Sequence, residues 1–236
     1  MNVMDSVISR LPRTWLGIST AHYKVLNGLI SVRPNNLDGP ETETIFAHAH
    51  DYDICMEHKK SKSSQKKQAV FIDQYLPHHP DAIAVGINGR MDPDNYYRQL
   101  RQVFDRVEKE LGLPVVIAVH PRADYRDNPD VFGGRKMFHG KTIDLIGESA
   151  LVLCHTSTAL GMAVILRKPV MILVTQGFLN YYWKVKHLVQ GVSDALETPL
   201  HFMDDPGQIN LNGAMDINER AYERYISNYV KHPKSS

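Results

Sequence analysis

Four hydrogen-bonding side chains in succession, His155, Thr156, Ser157 and Thr158, break the most apolar region of the chain, "LVLCHTSTALGMAVILRKPVMIL" at 151–173. One helix cap needs one of them. Four together can surround an anion with hydroxyl and backbone N–H donors. A second group, His120-Pro121-Arg122, follows the β-branched run "VVIAVH". The proline ends the strand, and Arg122 has the geometry for a bidentate pair with a phosphate. A third, Asp73, closes the apolar run "AVFID" and can act as a base or hold a sugar hydroxyl. Tyr75, His78 and His79 follow it. His78 and His79 are adjacent and do not easily point the same way, so no metal is expected. Lys141 lies in "FGGRKMFHGKT", whose glycine spacing is one residue too long for a P-loop. Lys141 and Thr142 then start a helix facing the same cleft, with Thr142 as its cap.

These groups need elements to hold them. Asp92 and Pro93 open a helix whose apolar face is Tyr96, Leu100, Val103, Phe104, Val107 and Leu111, and Gly112 and Pro114 end it. Strands are expected at "AVFID", "VVIAVH", "LVLCHT" and "PVMILVT", with helices at "KTIDLIGESA", "STALGMAVILR" and the tail "NERAYERYISNYVKH". "TIFAHAHDYDICMEHKK" reads as one or two short strands. The strands are apolar on both faces and alternate with helices. That pattern predicts an α/β fold with a doubly wound, mainly parallel, Rossmann-like sheet and helices on both faces. Residues 69–236 form this domain. Residues 1–68 form a reduced N-terminal region that ends in the basic linker "KKSKSSQKKQ". In such sheets ligands bind beyond the carboxyl ends of the strands. His120 and His155 both lie there, and meet if their strands are neighbours.

The 236 residues carry a net charge of +1, with 43% hydrophobic and 22% charged residues. That balance gives no case for a general nucleic-acid surface. Two cysteines, Cys55 and Cys154, cannot make a disulfide scaffold, and Cys154 reads as a buried thiol. No run of about 18 apolar residues is free of charge, and no basic region precedes an apolar block at the start of the chain. A cytoplasmic protein, or one peripheral to the inner face of a membrane, is expected.

A strand ending in His-Pro, a strand running into a Ser/Thr cluster at a helix start, and "RKPVMIL" leading to the next strand resemble the C-terminal donor-binding domain of GT-B glycosyltransferases. The likeness is to the bacterial sialyltransferase-like and capsular polysaccharide type, over residues 69–190. It implies a metal-independent inverting transferase acting in surface polysaccharide or glycan synthesis. The donor would be a CMP-sugar first and a UDP-sugar second. His120 would stabilise the leaving nucleotide, Pro121 would fix its turn, and Ser157 and Thr158, with His155 and Thr156, would bind phosphate. The acceptor would be a glycan or a lipid-linked sugar, and no cofactor would be needed beyond the nucleotide-sugar substrate. GT-B enzymes have two Rossmann-like domains. Residues 1–68 are too few for one, so a fragment, a reduced N-terminal part, a second domain or a homo-oligomer is expected. The catalytic base is then Asp73, or Asp51 or Asp53 in its place. Two rivals remain open: a non-catalytic nucleotide-binding module and a nucleotide-sugar 2-epimerase-like enzyme, which "RKPVMIL" also resembles.

Overall fold

The computed structural model describes residues 17, 19–31, 37–61, 66–79, 91–180 and 183–235. Part of the basic linker expected at 59–68, and most of the N-terminal segment, fall outside these. Two compact units divide the chain: residues 1–49 with 227–236, and residues 50–226. The sequence reading drew its boundary at residue 68 instead. The first unit holds a two-stranded parallel sheet of β1 (Tyr23–Leu26) and β2 (Glu43–Phe46). In it Phe46 stacks on His232, with ring centroids 4.1 Å apart.

The second unit begins with helix α1 (His50–Lys60), where the sequence had suggested strand. Its Cys55 is buried, and the His58 ring presses against Gly147. Helix α1 therefore packs with the sheet domain.

The sheet has six strands: β3 (Ala69–Ile72), β4 (Val115–Val119), β5 (Met137–His139), β6 (Leu151–Cys154), β7 (Val170–Val174) and β8 (Leu200–Phe202). Their order is β5-β4-β3-β6-β7-β8, and every neighbouring pair is parallel. This is the doubly wound Rossmann order, with its reversal between β3 and β6. Every residue of β3, β4, β6 and β7 is buried. Their full apolarity thus reflects a sheet covered on both faces. On one face Phe71 of β3 meets Phe104 of helix α2 (Pro93–Arg106) and Phe132. On the other, α3 (Thr142–Glu148) lies over β3 and β4.

The expected helix signals mostly hold. Asp92 Oδ1 accepts from Asp94 N at 3.1 Å, with Pro93 at the first position. Gly112 stops the helical run at φ 64°. Asn218 caps α7 (Glu219–Tyr225) through Ala221 N. Thr142 is not a cap: Lys141 occupies that place and no side chain caps α3. Helix α4 (Leu160–Ile165) spans only 6 residues. Beyond β7 come α5 (Gln176–Leu179) and α6 (Trp183–Leu196). Among the described residues no helix is long and apolar enough to cross a membrane.

Candidate functional site

Because the sheet is wholly parallel, Asp73, His120, His139, His155 and Thr175 all leave strands at one edge. His120 and His155 do not emerge from neighbouring strands, as the sequence had suggested. β3 lies between them and brings Asp73 to the centre.

Asp73 is buried and 3% exposed. Its Oδ1 accepts from Tyr75 N at 2.8 Å. Its Oδ2 accepts from His120 N at 3.2 Å and from the Tyr125 hydroxyl at 2.9 Å. Tyr125 O–H is thereby committed, so Tyr97 donates to Tyr125 Oη across 3.3 Å. Burial raises the Asp73 pKa, and the backbone N–H groups of Tyr75 and His120 and the Tyr125 hydroxyl oppose that rise. This carboxyl stitches the tip of β3 to the tip of β4. It also holds Tyr75 in a left-handed conformation, φ 53°, a strained state for a non-glycine residue that neighbouring contacts must maintain. A sealed carboxyl with both oxygens occupied positions its neighbours. Asp51 and Asp53 sit in the first turn of α1.

His155 departs from the expected role. It is 0% exposed. Nδ1 donates to the Leu173 carbonyl at 2.6 Å, so the neutral ring accepts from the Tyr96 hydroxyl at Nε2, 2.8 Å away. Phe71 and Phe178 pack around it. Burial drives its pKa down to about 4 from 6.5, with the Leu173 bond opposing. The imidazole ties β6, β7 and α2 together and contacts no cleft. The reason is strand alternation: the residue after Cys154 still points into the layer between the sheet and α2.

The hydroxyl residues after it do line the reversal point. Thr156 and Ser157 are half-buried and Thr158 is exposed. Thr156 N donates to Gln74 Oε1 at 2.8 Å, bridging the tips of β6 and β3. Ser157 Oγ accepts from Ala159 N at 3.2 Å. Among the described residues, the N–H groups of Ser157 and Thr158 and the hydroxyls of Thr156 and Thr158 meet no partner. A further donor, Thr156 N, opens to any ligand that displaces the Gln74 carboxamide. The dipole of so short a helix as α4 adds little.

His120 is half-buried. Its Nδ1 accepts from Arg122 N at 3.2 Å, and its ring meets that of His79 at 5.2 Å. Pro121 and Arg122 are exposed and line a cavity with Tyr125, Arg126 and His139, beyond β4 and β5. Lys141 is exposed beyond β5, 3.8 Å from Asp144. The geometry thus gathers Asp73, His120 and the Thr156–Thr158 hydroxyls around β3, and sets Pro121, Arg122 and Lys141 to its β5 side. Among the described residues no three His, Cys, Asp or Glu side chains cluster to hold a metal.

Gln74, Tyr96 and Tyr125 were not singled out as site residues. Tyr96 counted only as an apolar position of α2. Its hydroxyl partner lies 59 residues away, a separation no local pattern reveals.

No family model matches the chain, and no curated protein does. A solved structure, spinosyn forosaminyltransferase SpnP, is similar over 70% of this chain and 37% of its own, at 13% identity and a TM-score of 0.32. The chain thus spans well under half the length of that structure.

Proposed function

We propose that the carboxyl edge at the β3/β6 reversal binds the phosphate of a nucleotide-activated sugar, and that the chain is the donor-binding part of a metal-independent inverting glycosyltransferase. The observation that carries this reading is the set of unpartnered donors at Thr156, Ser157 and Thr158 at the reversal point of a doubly wound sheet. Donors already in place stabilise a leaving phosphate without reorganising as charge develops. On this reading His120, one strand beyond β3, would turn its ring toward the same anion. CMP is the first nucleotide expected and UDP the second. Glycan or lipid-linked acceptors follow from the transferase reading.

One observation favours a second reading, a nucleotide-binding module without catalysis. Asp73 is 3% exposed and already accepts three hydrogen bonds, which seals its carboxylate from an acceptor hydroxyl. Calorimetric titration with CMP, UDP and their sugars distinguishes the two. Binding with sugar transfer supports the enzyme, and binding without it supports the module. No binding of any nucleotide rejects both. His120→Ala should weaken CMP binding by about tenfold, the usual worth of one charge-assisted contact. Unchanged affinity removes His120 from the site.

A further inference from the structure

A second pocket, of about 420 Å³, lies along the β8 edge of the sheet. That volume falls within the roughly 300–1,000 Å³ usual for small-molecule sites. One wall is the start of β7 with β8, and the other is the return segment 205–216. His201 of β8 lines it and is 8% exposed. Among the described residues its ring has no hydrogen-bond partner. A buried polar group left unpaired is unfavourable and normally finds a protein, water or ligand partner. Burial lowers the His201 pKa, so the ring is neutral and offers one donor and one acceptor.

The rest of the lining narrows the ligand. Asp205, Gln208, Asn210, Asn212 and Asp216 contribute polar side chains, and no lysine or arginine contributes. Among the described residues the side chains of Asp205, Gln208, Asn212 and Asp216 have no partner. Two carboxylates without a cation repel phosphates and other anions. Acceptor oxygens outnumber donors, which suits a ligand rich in O–H or N–H groups. The outer wall is also held in place. The Arg106 guanidinium donates to the carbonyls of Pro206, Gly207 at 3.2 Å and Ile209 at 2.7 Å. Glu110 fixes Arg106 in turn at 2.7 Å. A loop clamped at three carbonyls keeps its side chains poised at little ordering cost on binding.

We infer that this pocket binds a neutral or amino-substituted saccharide unit through His201, Gln208, Asn212 and the two aspartates. It lies at the edge strand, three strands from β3, and does not depend on the nucleotide reading. In the full chain, NMR titration would follow the His201 imidazole and the Gln208 and Asn212 side-chain amides. The probes are methyl glucoside, glucosamine, glucuronate and inorganic phosphate. Methyl glucoside and glucosamine should shift these signals, with glucosamine the tighter of the two. Glucuronate and phosphate should leave them in place. Asp205→Asn with Asp216→Asn should remove the advantage of the amino sugar. His201→Phe should abolish the shifts. Gln208→Ala with Asn212→Ala, at exposed positions, should do the same if His201→Phe fails to fold. Signals unmoved by either sugar, or moved equally by phosphate, would overturn the assignment and leave a water-filled gap.

Discussion

His155→Ala is expected to lower stability by about 4 kcal/mol, by removing a buried ring and leaving the Tyr96 hydroxyl and the Leu173 carbonyl unpaired. Tyr96→Phe removes one hydroxyl from the same chain and should lose about 2 kcal/mol. The pH dependence gives an independent readout. The ring titrates near 4 when folded and at 6.5 when exposed. Between those values the unfolded chain binds the proton and the native state does not. The His155 contribution is therefore complete above 6.5 and falls as pH drops toward 4, by roughly 3 kcal/mol over the window. His201, also depressed by burial, adds a slope of the same sign. Urea unfolding of the parent and of His155→Gln from neutral to acid pH checks this. The variant should start lower and lose less on acidification. Equal slopes would place the His155 ring in contact with water, against the structure.

Asp73→Ala should have a comparable effect on stability, about 3 kcal/mol, and should also weaken nucleotide binding. Three buried donors lose their acceptor: Tyr75 N, His120 N and Tyr125 O–H. Tyr75 would then relax from its left-handed turn, and His120 would lose the bond that fixes its backbone. Asp73→Asn keeps the shape but turns one acceptor into a donor, so at least one of the three N–H or O–H groups is opposed. It should lose about 1–2 kcal/mol. These variants also test whether Asp73 is a base. A base replaced by Asn would leave stability and CMP affinity unchanged and abolish transfer alone. The hydrogen bonds require instead that stability, CMP affinity and the His120 amide resonance change together.

The four central strands β3, β4, β6 and β7 were legible because they are uninterrupted apolar runs between helix signals. Such runs suit the interior strands of a parallel sheet covered on both faces. Helix α2 was legible for the same kind of reason: Asp92, Pro93 and Gly112 mark its ends and its apolar face repeats at steps of three and four. Strand order was not legible. Nothing local states that β3 inserts between β4 and β6, so His120 and His155 were read as meeting directly. Helix α1 was missed because its apolar positions are few and its buried residue is Cys55 alone. β5 is 3 residues long, too short for its alternation to rise above the Gly-rich loop around it. Thr156 to Thr158 stand out in the sequence because a row of hydroxyls after an apolar strand is uncommon, and the structure places them at the reversal point of the sheet. His155 was misassigned because polarity in a sequence does not say which way a side chain points. At this position strand alternation turns the ring inward, where Tyr96 and Leu173 satisfy it.

On the proposed function, the tips of β3, β4 and β6 would form one phosphate-binding edge. Backbone amide shifts during titration of the full chain with CMP test it most directly. The expected result is a shift confined to Gln74, His120, Arg122 and Thr156–Thr158, with Thr156 N moving as the Gln74 carboxamide is displaced. Saturable CMP binding that leaves Thr156, Ser157 and Thr158 unmoved would contradict it.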